Sequence, residues 1–165
     1  MSAQSASAAL WFLPFAVPIA LWVAWSDMAR MKIPNKAVLA LVAVFALVGL
    51  VALPLDVWAW RWLHLVVVLA IGFVANMLGL VGAGDAKFAA AMAPFIALAD
   101  ALTFVYLFAA ALLAGFIIHR IARRIPALRR RTEGWESWER HDFPMGLSLG
   151  ASLVFYLLIE AFGGA

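Results

Sequence analysis

Two aspartates stand where long apolar runs end: Asp27 in "WSDMARMKIPNKAV" and Asp85 in "GLVGAGDAKFAAAMAPF". A charge in such a place is expensive, and ionisable groups set into apolar segments mark functional sites. Two carboxylates brought within a few ångströms cannot both ionise cheaply, so one keeps a proton. Such a pair can activate water with one member and protonate a leaving group with the other. The same pair could instead relay protons or line an ion path. Each could also serve only as a helix-end residue, held by free backbone N–H groups. Spacing alone does not separate these readings. Gly82 and Gly84 are expected to allow backbone conformations closed to other residues and to let another element approach Asp85 closely. Of the other acids, Asp56, Asp100 and Glu160 fall toward the opposite face, and Glu133, Glu136, Glu139 and Asp142 lie in a long connection.

The elements that must position the pair follow from composition. The chain has 165 residues, 67% of them hydrophobic, and its mean hydropathy is +1.02. That pattern belongs to an all-α polytopic membrane protein. A net charge of +3 then marks loops on one side of a membrane rather than nucleic-acid binding. With no cysteine there is no disulfide framework and no thiolate chemistry. His64, His119 and His141 lack metal-ligand spacing, so no metal site and no cofactor is expected. The first 26 residues lack a basic n-region, which predicts a retained span rather than a cleaved signal.

Six spans are predicted, at about 8–25, 36–53, 62–80, 86–99, 101–118 and 144–162, in a single domain covering 1–165. Fusing 86–118 into one helix of 33 residues would give a length of ~50 Å against an apolar core of ~30 Å. Charge supports six. One side receives Arg30, Lys32, Lys36, Lys87, Arg120, Arg123, Arg124, Arg129, Arg130, Arg131 and Arg140, and the other only Arg61. The positive-inside rule makes the first side cytoplasmic and puts both termini outside, in the periplasm. Trp22 and Trp25, and the cluster Trp58, Trp60 and Trp62, suit interfacial belts. Asn76 is expected to make an interhelical hydrogen bond. The cytoplasmic loop 119–143 carries arginines for anionic lipid, and Glu133, Glu136 and Arg140 at helical spacing predict a short interfacial helix.

Four ordered pieces carry a resemblance. "GAGDAK" resembles the GxGD signature of membrane-embedded aspartyl proteases, and Asp27 followed by Ile33-Pro34-Asn35 resembles the first-aspartate motif of type IV prepilin peptidases. Lys87 fits that family, and "FPMGLSLGA" at 143–151 is similar to the segment opening its last helix, with Met145 where many relatives place an aromatic residue. Ser26 before the first aspartate, in place of the tyrosine common in presenilin-like proteases, favours the prepilin branch. The resemblance implies a bacterial inner-membrane endopeptidase that removes the basic leader of prepilin-like precursors at the cytoplasmic face, after a glycine. It implies Asp27 and Asp85 as the catalytic pair, with Pro34, Asn35, Gly82, Gly84, Lys87, Pro144 and Gly146 shaping the site. Larger relatives carry a cysteine-bearing domain associated with methylation. This cysteine-free chain resembles the compact peptidase-only form serving Tad/Flp-type pili, so methyltransferase activity is not expected. A basic leader also gives Glu133 and Glu136 a candidate role in receiving it. A small transporter or proton-conducting protein, a non-catalytic membrane subunit, and a protease cutting within a substrate's span stand as alternatives.

Overall fold

A computed structural model describes residues 5–163. Seven α-helices follow in order: α1 Ala6–Arg30, α2 Asn35–Ala52, α3 Leu55–Met77, α4 Ala83–Met92, α5 Ala101–Ala122, α6 Pro126–Arg131 and α7 Met145–Phe162. There is no strand among the described residues. Five segments are long and apolar enough to cross a membrane: α1, α2, α3, α7, and α5 with the turn before it, Leu98–Ala122. Local chemistry sets the ends. Ser5 accepts the Ala8 N–H ahead of α1, Met31 closes α1 in a left-handed conformation, and Pro34 and Pro54 precede α2 and α3.

The 86–99 segment differs from the predicted continuous span. Its helix, α4, has ten residues, about 15 Å, too short to cross an apolar core of ~30 Å. At Pro94 the chain tightens into a 3-10 turn, Ala93–Phe95, and then a second, Leu98–Asp100. Non-helical backbone inside an apolar bundle must find partners in the protein. Buried Arg61 approaches the carbonyls of Pro94 and Phe95 at 3.4 and 3.5 Å, and His64 Nδ1 lies 3.1 Å from that of Ile96. Tyr156 Oη accepts the Ala97 N–H at 3.2 Å and donates to Asp100 Oδ2 at 2.9 Å. The broken segment therefore runs back along α3, from beside its C-terminal end to beside its first turns. Arg61 and Asp100, expected toward an outer face, are buried where the break needs them.

Packing gathers around α1 and α7, which lie against each other through small residues. A Cβ added at Gly150 would sit 3.0 Å from the Ala20 carbonyl oxygen. Phe95 from the break fills the centre, its ring 4.8 Å from Phe12 and 5.6 Å from Phe45. Trp58 and Trp62 also turn inward, Trp58 under Gly49 and Trp62 against Phe45, so in that cluster Trp60 alone faces outward. Two further expectations are corrected. Asn76 donates to the Val81 carbonyl at 2.8 Å, closing the turn after α3 instead of joining two helices. In the 119–143 connection the α-helix is Pro126–Arg131, after a proline suited to a first turn, and Glu136–Trp138 forms only a 3-10 turn.

Candidate active site

Asp27 lies in the last turn of α1, only 5% exposed. Its Oδ2 accepts the Gly146 N–H at 2.7 Å. Gly146 is the second residue of α7, where backbone N–H groups have no partner within the helix. Asp27 thus caps a helix 119 residues further along the chain. This contact explains the Pro144-Met145-Gly146 sequence: buried Pro144 precedes the helix, and a Cβ at Gly146 would stand 3.0 Å from both Cβ and Oδ2 of Asp27.

Asp85 is placed by its own helix. Gly82 is the N-cap of α4, and Asp85, three residues on, takes the Gly82 backbone N–H, the return half of a capping box. The helix-end role open to Asp85 is realised, from the first turn rather than the cap itself. Gly82 and Gly84 do not adopt left-handed backbone: Gly82 has φ −65 and ψ 143, ordinary extended geometry, and the positive-φ glycines among the described residues are Gly79 and Gly134. What Gly82 supplies is space. A Cβ there would lie 2.5 Å from Asp85 Oδ2, whereas one at Gly84 would meet Ile33 at 3.4 Å. Gly72 on α3 lets α4 come close in the same way, since its Cβ would fall 2.9 Å from that of Ala86.

Both carboxylates line the same two cavities. The smaller, about 300 Å³, is closed by Asn35, Gly82, Gly84 and Lys87 beside the aspartates. The larger, about 760 Å³, extends toward Leu112 and Phe116 of α5 on one side and Arg140, Asp142 and Phe143 on the other. Asp85 lies outside the five long apolar helices. Its burial, and secondarily the neighbouring Asp27 carboxylate, push its pKa up to about 6, against the pull of the Gly82 N–H. The arrangement can hold one proton between two acids facing a cavity large enough for an extended peptide.

Of the site residues expected from the sequence, the structure brings together Asp27, Asp85, Asn35, Gly82, Gly84 and Lys87 around one cavity, with Gly146 bonded to Asp27. Pro34 acts one step back, as the N-cap of α2 beside the turn Met31–Ile33. Glu133 and Glu136 do not line either cavity, and Glu136 pairs with Arg140 at 3.4 Å. The sequence reading missed Arg140, Asp142 and the wall formed by α5. The strap bearing Arg140 and Asp142 is pinned by Arg120 and Arg123, which donate to the carbonyls of His141 and Arg140 at 3.1 and 3.2 Å. The sequence predicts lipid anchors at these two arginines, and the structure turns both to the strap. The α5 wall was legible as the spacing Ala109, Leu112, Leu113, Phe116, but in a membrane helix that spacing does not distinguish a cavity from lipid.

The type IV leader peptidase family matches residues 14–119, well over half the chain and inclusive of both aspartates. The chain belongs to that family, and it is a multi-pass membrane peptidase. No curated protein and no solved structure matches it. The strap and α7 lie beyond the matched stretch, and α7 is tied to the site by the bond from Gly146 to Asp27.

Proposed function

We propose that the chain is an aspartic endopeptidase that removes the basic leader of type IV prepilin-like precursors at the cytoplasmic face of the bacterial inner membrane, cutting after a glycine. The observation that carries this reading is the meeting of Asp27 and Asp85, from two separate helices, at one cavity. Asp85 is held toward its protonated form and Asp27 accepts a backbone N–H, so the pair suits a single shared proton. The ionised carboxylate takes a proton from a water, and the resulting hydroxide attacks the scissile carbonyl. The protonated carboxyl gives its proton to the departing amine, and the pair regains its starting charge when the protons redistribute. The two acids titrate as a unit, so neither is assigned one role throughout.

This placement takes six crossings, with the broken segment 86–99 as the fourth, Asp85 just ahead of it and both termini in the periplasm. The basic residues other than Arg61 then share the aspartates' side, and their lipid contacts are to anionic headgroups. Family membership favours peptide hydrolysis over an ion path. The absence of cysteine supports a peptidase without methyltransferase activity, as in the Tad/Flp-type form. The test is cleavage of a purified precursor in liposomes, with both products sequenced by mass spectrometry. A cut after the leader glycine, ahead of the apolar helix, is expected. A cut inside the apolar helix would instead indicate presenilin-like proteolysis, and proton flux without any cut would indicate a conducting protein.

A further inference from the structure

Two cavities lie in line along α5, the first of them at the aspartates. Beside Asp27 and Asp85 its α5 wall is Ala109, Leu112, Leu113 and Phe116. A second cavity, about 410 Å³, is walled by Ala101, Phe104, Val105 and Phe108 of the same helix. These eight positions recur at helical spacing and form one stripe of about 22 Å. Facing the stripe in the second cavity are Leu63 and Val67 of α3 and Met92 and Ile96 of the broken fourth segment. α5 meets the rest of the bundle chiefly through α7, against which Phe104 leans on Tyr156; Phe104 and Phe108 are half-buried on the core, while Val105, Ala109, Leu113 and Phe116 stay exposed. Only at the aspartate end does the trough change character, where Arg140 and Asp142 form its polar wall.

We propose that this trough between α3–α4 and α5 is the docking surface for the apolar membrane helix that follows the scissile bond in the substrate. The inference rests on the proteolytic reading and adds where the uncut body of the substrate lies. The trough is continuous with the candidate active site through a single helix face. Its chemistry also fits a chain in which a charged segment joins directly to an apolar one: the charged part against Arg140 and Asp142, the apolar part along α5. The other apolar grooves lack that continuity. The one between α1 and α7, about 160 Å³, and the one on α3 near Leu80 contain neither aspartate. In the trough the substrate helix runs antiparallel to α5, its first turn beside Leu113 and a later turn, about eight residues on, beside Val105.

The chain's freedom from cysteine permits a direct test. Single cysteines at Leu113 and Val105 report on the trough, with exposed Ala114 as the outward control on α5 and Leu21 and Phe155 on the rival groove. The probe is a precursor with a basic leader, a glycine and an apolar helix, carrying one cysteine at successive helix positions. Each enzyme is first assayed for cleavage, which reports that it is folded. Disulfide cross-linking is then measured in an Asp27→Asn background that retains the uncut chain. The expected result is a yield at Leu113 and Val105 several-fold above that at Ala114, with the two sites choosing precursor cysteines about two turns apart. Cleavage with cross-links favouring Leu21 and Phe155, or equal at Ala114, would overturn the docking site and leave the peptidase standing. Failure of the cysteine-free parent to cut would overturn the proteolytic reading and the docking site with it.

Discussion

The seam between α1 and α7 and the open face between α3 and α5 are built on opposite terms. Burial covers 44% of the apolar window of α7 and 33% of that of α1, but only 6% of each in α3 and α5. The seam depends on close approach, with Gly150 against Ala20 and Gly146 against Asp27, and it fixes one catalytic candidate by a 2.7 Å bond between helices. Asp85 is held on the other side by a short helix drawn tightly onto α3 through Gly72. A dense half thus supplies a rigid carboxylate and a loosely packed half supplies room. A hydrolytic site needs both: reacting groups held to fractions of an ångström, and a surface that a whole protein chain can enter and leave.

Breaking the seam at the site is expected to have the larger effect. Gly146→Val places a branched side chain onto Asp27, and displacement of that carboxylate is expected to lower kcat by about 100-fold while the bundle remains folded. Steady-state cleavage and a thermal melt read the two separately, and an unchanged kcat would detach Gly146 from the chemistry. Breaking the seam away from the site should act on stability instead. Gly150→Leu overpacks α1 against α7 and is expected to cost about 1–3 kcal/mol, seen as a lower melting midpoint in detergent.

The loose half is sharpened by pH and by charge. The pKa of Asp85 is raised to about 6. Near and below that value the pair of Asp27 and Asp85 holds a shared proton; above it both carboxylates ionise and the one-proton form is lost. kcat/KM is therefore expected to fall on the alkaline side of about 6, approaching tenfold per pH unit. A profile that stays flat from weak acid into alkali would contradict a shared proton. The smallest effect belongs to the strap. Asp142→Lys is expected to raise KM several-fold for a precursor with a basic leader, with kcat nearly unchanged. The same reversal at Glu136, which is already paired with Arg140, should move KM less. Equal effects would return leader recognition to Glu133 and Glu136.

Much of this was legible in the residues. Apolar runs set five of the helices to within a few positions, apart from the early start of α3 at Leu55, where Asp56 and Arg61 had looked like loop. The aspartates stood out because a carboxylate at the end of an apolar run has few inexpensive explanations. The broken fourth segment did not, because its stability comes from Arg61, His64 and Tyr156, which lie in other helices. Gly82 and Gly84 signalled a special place, and of the two reasons expected for them close approach holds while unusual backbone does not, since both leave the same mark in a sequence. Asp142 was hidden among neighbouring charges, and only the pinning of the strap by Arg120 and Arg123 brings it to the cavity.

The central claim is that one carboxylate from each half acts in a single hydrolytic unit. Its most direct test is cleavage by the wild type, Asp27→Asn and Asp85→Asn in equal amounts, each with a melt to report folding. The account predicts that both variants fold and that each lowers cleavage by at least about 100-fold, with the double variant little worse than either. Either single variant cutting at the wild-type rate would reduce its aspartate to a helix cap and contradict the account.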